Sequence, residues 1–150
     1  MAESIAVIGT ECRFPSDADT PSKLWYLIHH PRDLSHEPSA SRFNADVFYH
    51  PDSDTTNVAQ FDTVLFNVQA SEAEAIDPQH RLLLEVVYDG LSAAGQPMEK
   101  LRGFETAVYV GVMRDDYNTM VERDWETMPR YTATDLARSL AANRVSYFFD

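Results

Sequence analysis

One cysteine and five histidines are the residues of this 150-residue chain best suited to covalent or metal chemistry. Cys12 is followed by Arg13, whose charge favours a thiolate over a thiol. A cysteine nucleophile also needs a base, and nothing in the spacing of His29, His30, His36, His50 and His80 brings an imidazole to it. A lone cysteine is more often a small hydrophobe in the fold. His29 and His30 are adjacent near a helix C-terminus, where an imidazolium suits the dipole but neighbours do not converge on one ligand. The run "DSDTTN", residues 52–57, begins like a calcium loop, but Asn57 stands where the sharp turn needs Gly, and Thr63 where the bidentate Glu belongs. "SIAVIG", residues 4–9, ends in Gly as phosphate-cradling strands do. Glu11 then occupies the position of the second glycine and sets a carboxylate against phosphate, and Cys12-Arg13-Phe14 is no Gly-Lys-Ser/Thr. There is no G-x-S-x-G elbow and no carboxylate pair in a recognisable frame. The residue types and spacings therefore predict no catalytic, cofactor-binding or metal-binding residue.

Elements that would position such residues are easier to read. Residues 4–9 form a short continuous apolar run, as in a buried parallel strand. Thr20 caps and Pro21 opens a helix with Leu24, Trp25, Leu27 and Ile28 on its apolar face, stopped by Pro31. Residues 32–60 read as a long packed loop. The clearest helix is "DPQHRLLLEVVYDGLSAAG": Asp77 caps it, Leu82, Leu83, Val86, Val87 and Leu91 form its stripe, and Gly95 ends it. A short helix over residues 71–76 precedes it. "TAVYVGVM", residues 106–113, is a second strand, and "TDLARSLAANR" a helix with Leu136, Leu140 and Ala141 inward. A third strand starts at Val145, Tyr147, Phe148 and Phe149, which would stand exposed unless a partner covered them. This order predicts an α/β layered fold.

Length suits one domain. A net charge of −12 disfavours nucleic-acid binding, and no apolar stretch reaches the roughly 18 residues of a membrane span. A single cysteine without an apolar N-terminal signal suits a reducing, cytoplasmic setting.

Several stretches together carry a resemblance: "IAVIGTECRFP" (5–15), "LWYLI…RD" (24–33), "RFNADVFYHPD" (42–52), "FDTVLFNV" (61–68), "SEAEAIDPQHRLLLEVVYDGLSAAG" (71–95), "AVYVGVMRDDY" (107–117) and "YTATDLARSLAANRVSYFFD" (131–150). In this order they resemble the N-terminal part of the ketosynthase (β-ketoacyl synthase) domain of polyketide synthases, closest in style to the fungal iterative reducing enzymes. The resemblance implies an incomplete thiolase-like fold, the N-terminal portion of its first half, layered α-β-α. It implies decarboxylative condensation of an acyl thioester with malonyl units on an acyl carrier protein, with a cysteine nucleophile and two histidines. In the family all three lie beyond the stretch that residues 1–150 resemble, and Cys12 matches a non-catalytic cysteine of the opening motif. The chain alone is then expected to be inactive and to bind no cofactor directly, since family substrates ride on the phosphopantetheine arm of the carrier. The implied partners are the acyl carrier protein and a second ketosynthase protomer, with neither nucleic acid nor membrane. The alternative is a non-catalytic interaction module that pairs with an intact synthase. The chain departs from the family where Asn57-Val58 and Phe61-Asp62 are nearly fused, and at Glu11, His80 and Asp135.

Overall fold

The computed structural model describes residues 4–14, 16–35, 61–122 and 137–149. Helix α1 (Pro21–His29) starts as expected: the Thr20 hydroxyl accepts the Lys23 N–H at 3.4 Å, with proline opening the first turn. Its apolar face is narrower than the sequence suggests. Leu24 and Leu27 are half-buried, whereas Trp25 and Ile28 point outward, because one narrow side of this short helix meets the rest of the fold.

Helices α2 (Ala70–Ala75) and α3 (Pro78–Ala93) are joined through buried Ile76 and Asp77. The Asp77 carboxylate accepts the Gln79 N–H at 2.8 Å and so satisfies a donor that the helix start leaves open. At the other end Gly95 has φ +66°, donates to the Ser92 carbonyl, and lets Gln96 reach back to the Leu91 carbonyl. This paired bond pattern closes a helix with a left-handed residue, which Gly adopts without strain. The stripe along α3 is rotated from the expected one. His80, Arg81 and Leu84 are buried, Leu83, Val86, Val87 and Leu91 half-buried, and Leu82 faces out. Short helices α4 (Met98–Leu101) and α5 (Asp116–Val121) follow.

The last helix, α6 (Leu140–Phe149), corrects the expected third strand. Ala141, Val145 and Phe148 recur at helical spacing and lie on the side that packs against α3. A strand would put Tyr147 on the same face as Val145, yet Tyr147 is 89% exposed and Val145 4%. Of the four side chains expected to stand open, only Tyr147 does, for Phe148 and Phe149 are half-buried. Residues 134–136 of the expected helix lie outside the described residues, as do 36–60 of the expected loop, with His36, His50 and the calcium-like run.

The core gathers Phe61, Phe66, Ala73, Leu84 and Val145. Asp62 shapes the turn that feeds it by accepting the N–H groups of Val64 and Leu65 at 3.1 and 2.9 Å. That turn stacks Phe61 on Phe66 with ring centres 5.0 Å apart, and Phe148 of α6 meets Phe66 at 4.7 Å.

The first two expected strands form no ladder among the described residues. An apolar run becomes a strand by pairing its backbone groups, and residues 4–10 instead stand exposed, Ile5 and Val7 above all. Residues 107–113 keep the strand period nonetheless. Residues 108, 110 and 112 are half-buried, and 107, 109, 111 and 113 are exposed, so one face of an extended segment meets its neighbours while the other is open.

Candidate functional site

Cys12 lies half-buried just after the first apolar run, where its own N–H donates to the Glu11 carboxylate at 2.9 Å. Arg13 does not serve the thiol. Its guanidinium donates to the Asp89 carboxylate of α3 at 2.9 Å and to the Asp19 carbonyl at 3.4 Å. Among the described residues no hydrogen bond reaches the Cys12 sulfur. Arg13 is thus a strap from the N-terminal segment to α3. A closer contact lies beside it. A Cβ on Gly9 would fall 2.6 Å from the Gly90 carbonyl oxygen and 2.9 Å from the Ala94 Cβ, so the missing side chain lets this backbone lie on α3.

His29 and His30 each donate Nδ1–H to the carbonyl four residues back, Trp25 at 2.9 Å and Tyr26 at 3.1 Å. Each ring also stacks on that residue's ring, at 4.2 and 4.3 Å. The two imidazoles therefore finish α1 separately. Among the described residues no three His, Cys, Asp or Glu side chains gather as a metal set.

The structure brings together one group that the residue-type search missed. Asp77 and Arg81, one helical turn apart, are buried at the α2–α3 junction beside Tyr117 of α5. Burial lowers Arg81 from its ordinary range, opposed by Tyr117, Asp77 and Glu85, and burial raises Tyr117, opposed by Arg81. The Tyr117 hydroxyl donates to the Glu74 carbonyl at 3.2 Å, and the Gln79 amide donates to the Arg114 carbonyl at 3.3 Å. These bonds fasten residues 114–117 to the two preceding helices. The available signal was the Asp-Pro-Gln-His-Arg spacing, which sets a carboxylate and a guanidinium on one side of a helix start. His80 is buried in the same turn.

An apolar groove of about 590 Å³ runs between α3, α6 and the extended segment, walled by Val87, Leu91, Phe104, Val108, Val145 and Phe149. Helices backing one face of an extended, strand-period segment are what a layered α/β domain places behind its sheet. Solved ketosynthases share this arrangement. The ketosynthase from module 6 of the bacillaene synthase of Bacillus subtilis 168 matches with a TM-score of 0.69 and 28% identity, over 94% of this chain and 23% of that one. The oxazolomycin ketosynthase domain of Streptomyces albus JA3453 matches with a TM-score of 0.74 and 33% identity, over 96% and 27%. The architecture is that of the N-terminal portion of a thiolase-like ketosynthase fold.

The chain belongs to the β-ketoacyl synthase family, matching its N-terminal domain over residues 2–150. The trichosetin synthetase of Gibberella fujikuroi is 56% identical over 161 positions, and the polyketide synthase component of the lovastatin nonaketide synthase of Aspergillus terreus 52% over 161. Each match covers 99% of this chain, which spans 4% and 5% of those relatives. The 161 aligned positions exceed the 150 residues by 11 (161 − 150), so both relatives carry positions the chain lacks. Among the described residues no helix is long and apolar enough to cross a membrane.

Proposed function

We propose that these residues form the N-terminal scaffold of a polyketide synthase ketosynthase, whose reaction is decarboxylative condensation of an acyl thioester with malonyl units carried on an acyl carrier protein. The observation that carries this reading is the family match along residues 2–150 together with the superposition on ketosynthase domains. In that role α3 and α6 back the extended segment, and the Asp77–Arg81–Tyr117 group holds the chain that leaves it. Cys12 serves packing, in keeping with a thiol that has no base bonded to it among the described residues. Substrates reach the domain on the phosphopantetheine arm of the carrier, and a second ketosynthase protomer completes the working dimer. The 150 residues alone bring no condensing activity.

A chimera tests the reading. Replacing the matching N-terminal part of an intact fungal ketosynthase with residues 2–150 is expected to leave condensation measurable. A folded chimera with none overturns the assignment. The 150-residue protein given acyl and malonyl thioesters is expected to form no product, and product that survives Cys12→Ala would equally overturn it.

A further inference from the structure

We propose that residues 106–113 are a self-assembly site: they pair antiparallel with the same residues of a second copy of this chain, and Glu105 of each copy meets Arg114 of the other. The inference is independent of the family reading, since it uses only this segment, its surroundings and its flanking charges.

The segment has the chemistry of a strand that pairs between chains. "TAVYVGVM" is rich in valine, carries no charge and no proline, and holds one glycine. Among the described residues no hydrogen bond uses the backbone of residues 107–113. Unpaired N–H and C=O groups in a row are a template for another strand. Tyr109 and Met113 are 92% and 87% exposed, and a Cβ on Gly111 would meet nothing within 4 Å, so the outward face is open.

Charge selects the occupant and the register. The uncharged run lies between one acid, Glu105, and one base, Arg114, both exposed and in no ion pair among the described residues. An antiparallel copy that sets Tyr109 opposite Val110 brings Glu105 opposite Arg114 at both ends of the pairing. Opposite charges facing across strands stabilise, as does an aromatic ring opposite a β-branched residue. A parallel copy in register would set acid on acid and base on base. The other open apolar run, residues 4–9, fails the same test: Glu3 and Glu11 flank it and would repel in an antiparallel pair.

The alternation of exposure agrees with this register. Each opposed pair takes one residue from the half-buried positions 108, 110 and 112, or one beyond them, and one from the exposed set. The two folded bodies then lie on opposite sides of the ribbon. A shift by one residue would put both on one side of strands only about 4.8 Å apart, whereas one helix with its side chains is about 10 Å across.

The net charge of −12 opposes the contact at long range, and salt cuts that range from about 8 Å at 0.15 M to about 3 Å at 1 M. Sedimentation of the 150-residue protein is therefore expected to show association that rises with sodium chloride. Amide exchange over residues 107–113 should slow by about tenfold or more in the associated form. Glu105→Arg sets base against base and Arg114→Glu sets acid against acid. Each should weaken association by about tenfold, with helix content by circular dichroism unchanged. The double variant remakes both pairs and should return to within about threefold of wild type. A chain that stays monomeric at every salt concentration overturns the proposal, as does association that protects residues 4–9 and not 107–113. So does a double variant as weak as the single ones. Tighter association of Glu105→Arg would overturn it too, since that change brings the chain nearer neutrality and net charge alone would then govern the contact.

Discussion

Adding one methyl group at Gly9 and one at Gly90 should move stability in opposite directions. At Gly9 the new Cβ meets the Gly90 carbonyl oxygen at 2.6 Å and the Ala94 Cβ at 2.9 Å, both closer than real contacts allow. The oxygen cannot retreat cheaply, since it accepts the Ala94 N–H at 3.0 Å in the last turn of α3. The N-terminal segment must lift instead and strain the Arg13–Asp89 pair. Overpacking of this kind costs about 1–3 kcal/mol. At Gly90 a Cβ finds only Glu11, its nearest atom 3.5 Å away, which is ordinary contact. There the methyl group removes the penalty of glycine in a helix, worth about 1 kcal/mol.

The two variants should therefore differ by about 2–4 kcal/mol. Urea denaturation of the 150-residue protein, followed by circular dichroism, reads the difference directly. Amide exchange over residues 5–13 should accelerate in Gly9→Ala and stay unchanged in Gly90→Ala. Equal midpoints for Gly9→Ala and wild type would refute the reasoning, because the segment would then rest on α3 without a stabilising contact.

Three further outcomes follow from the same geometry. Asp77→Ala removes the acceptor of the Gln79 N–H inside a buried junction and should cost about 1–2 kcal/mol in urea denaturation, whereas Asp77→Asn keeps most of the cap. Glu85 is raised above its ordinary value of 4.5, chiefly by burial and also by Asp89, against the pull of Arg13 and Arg81. A raised carboxyl favours the fold while protonated and loses that contribution as pH climbs through the folded value. Glu85→Gln should thus stabilise at pH 7 relative to wild type and match it near pH 4; a gain independent of pH refutes this. Val145→Ala deletes two buried methyl groups and should cost about 2 kcal/mol, while Tyr147→Ala should cost under about 0.5 kcal/mol; equal costs would favour a strand over α6.

The parts of the fold that read clearly from sequence are those decided by local chemistry. Thr20, Pro21, Asp77, Pro78 and Gly95 cap and stop their helices in the structure as their side chains and backbone freedom require. The failures lie where a non-local partner decides. Val145 to Phe149 is β-branched and aromatic, so its propensity suggests a strand, but packing against α3 turns it into a helix. The run at residues 4–9 is apolar enough for a buried strand and lacks a paired neighbour among the described residues. Asp77–Arg81–Tyr117 escaped a search by residue type because Tyr117 joins it only through folding. The family itself was legible, since collinear motifs survive even where single elements are misread.

Perturbed ionisable groups usually point to an active site, and here the inference runs the other way. Among the described residues, Arg81, Tyr117 and Glu85 are the half-buried or buried groups with shifted ionisation, and burial is the first cause for each. Their remaining influences come from one another, Asp77, Asp89 and Arg13, and those neighbours are bonded into helix starts and straps. A general acid or base needs a proton acceptor or donor within about 2.6–3.2 Å in an accessible cleft. The Tyr117 hydroxyl is instead used at 3.2 Å by the Glu74 carbonyl, which fixes α5 to α2. The electrostatic effort in these residues thus goes into holding helices around an open extended segment. That allocation gives Arg81, Tyr117 and Glu85 a structural part in the fold.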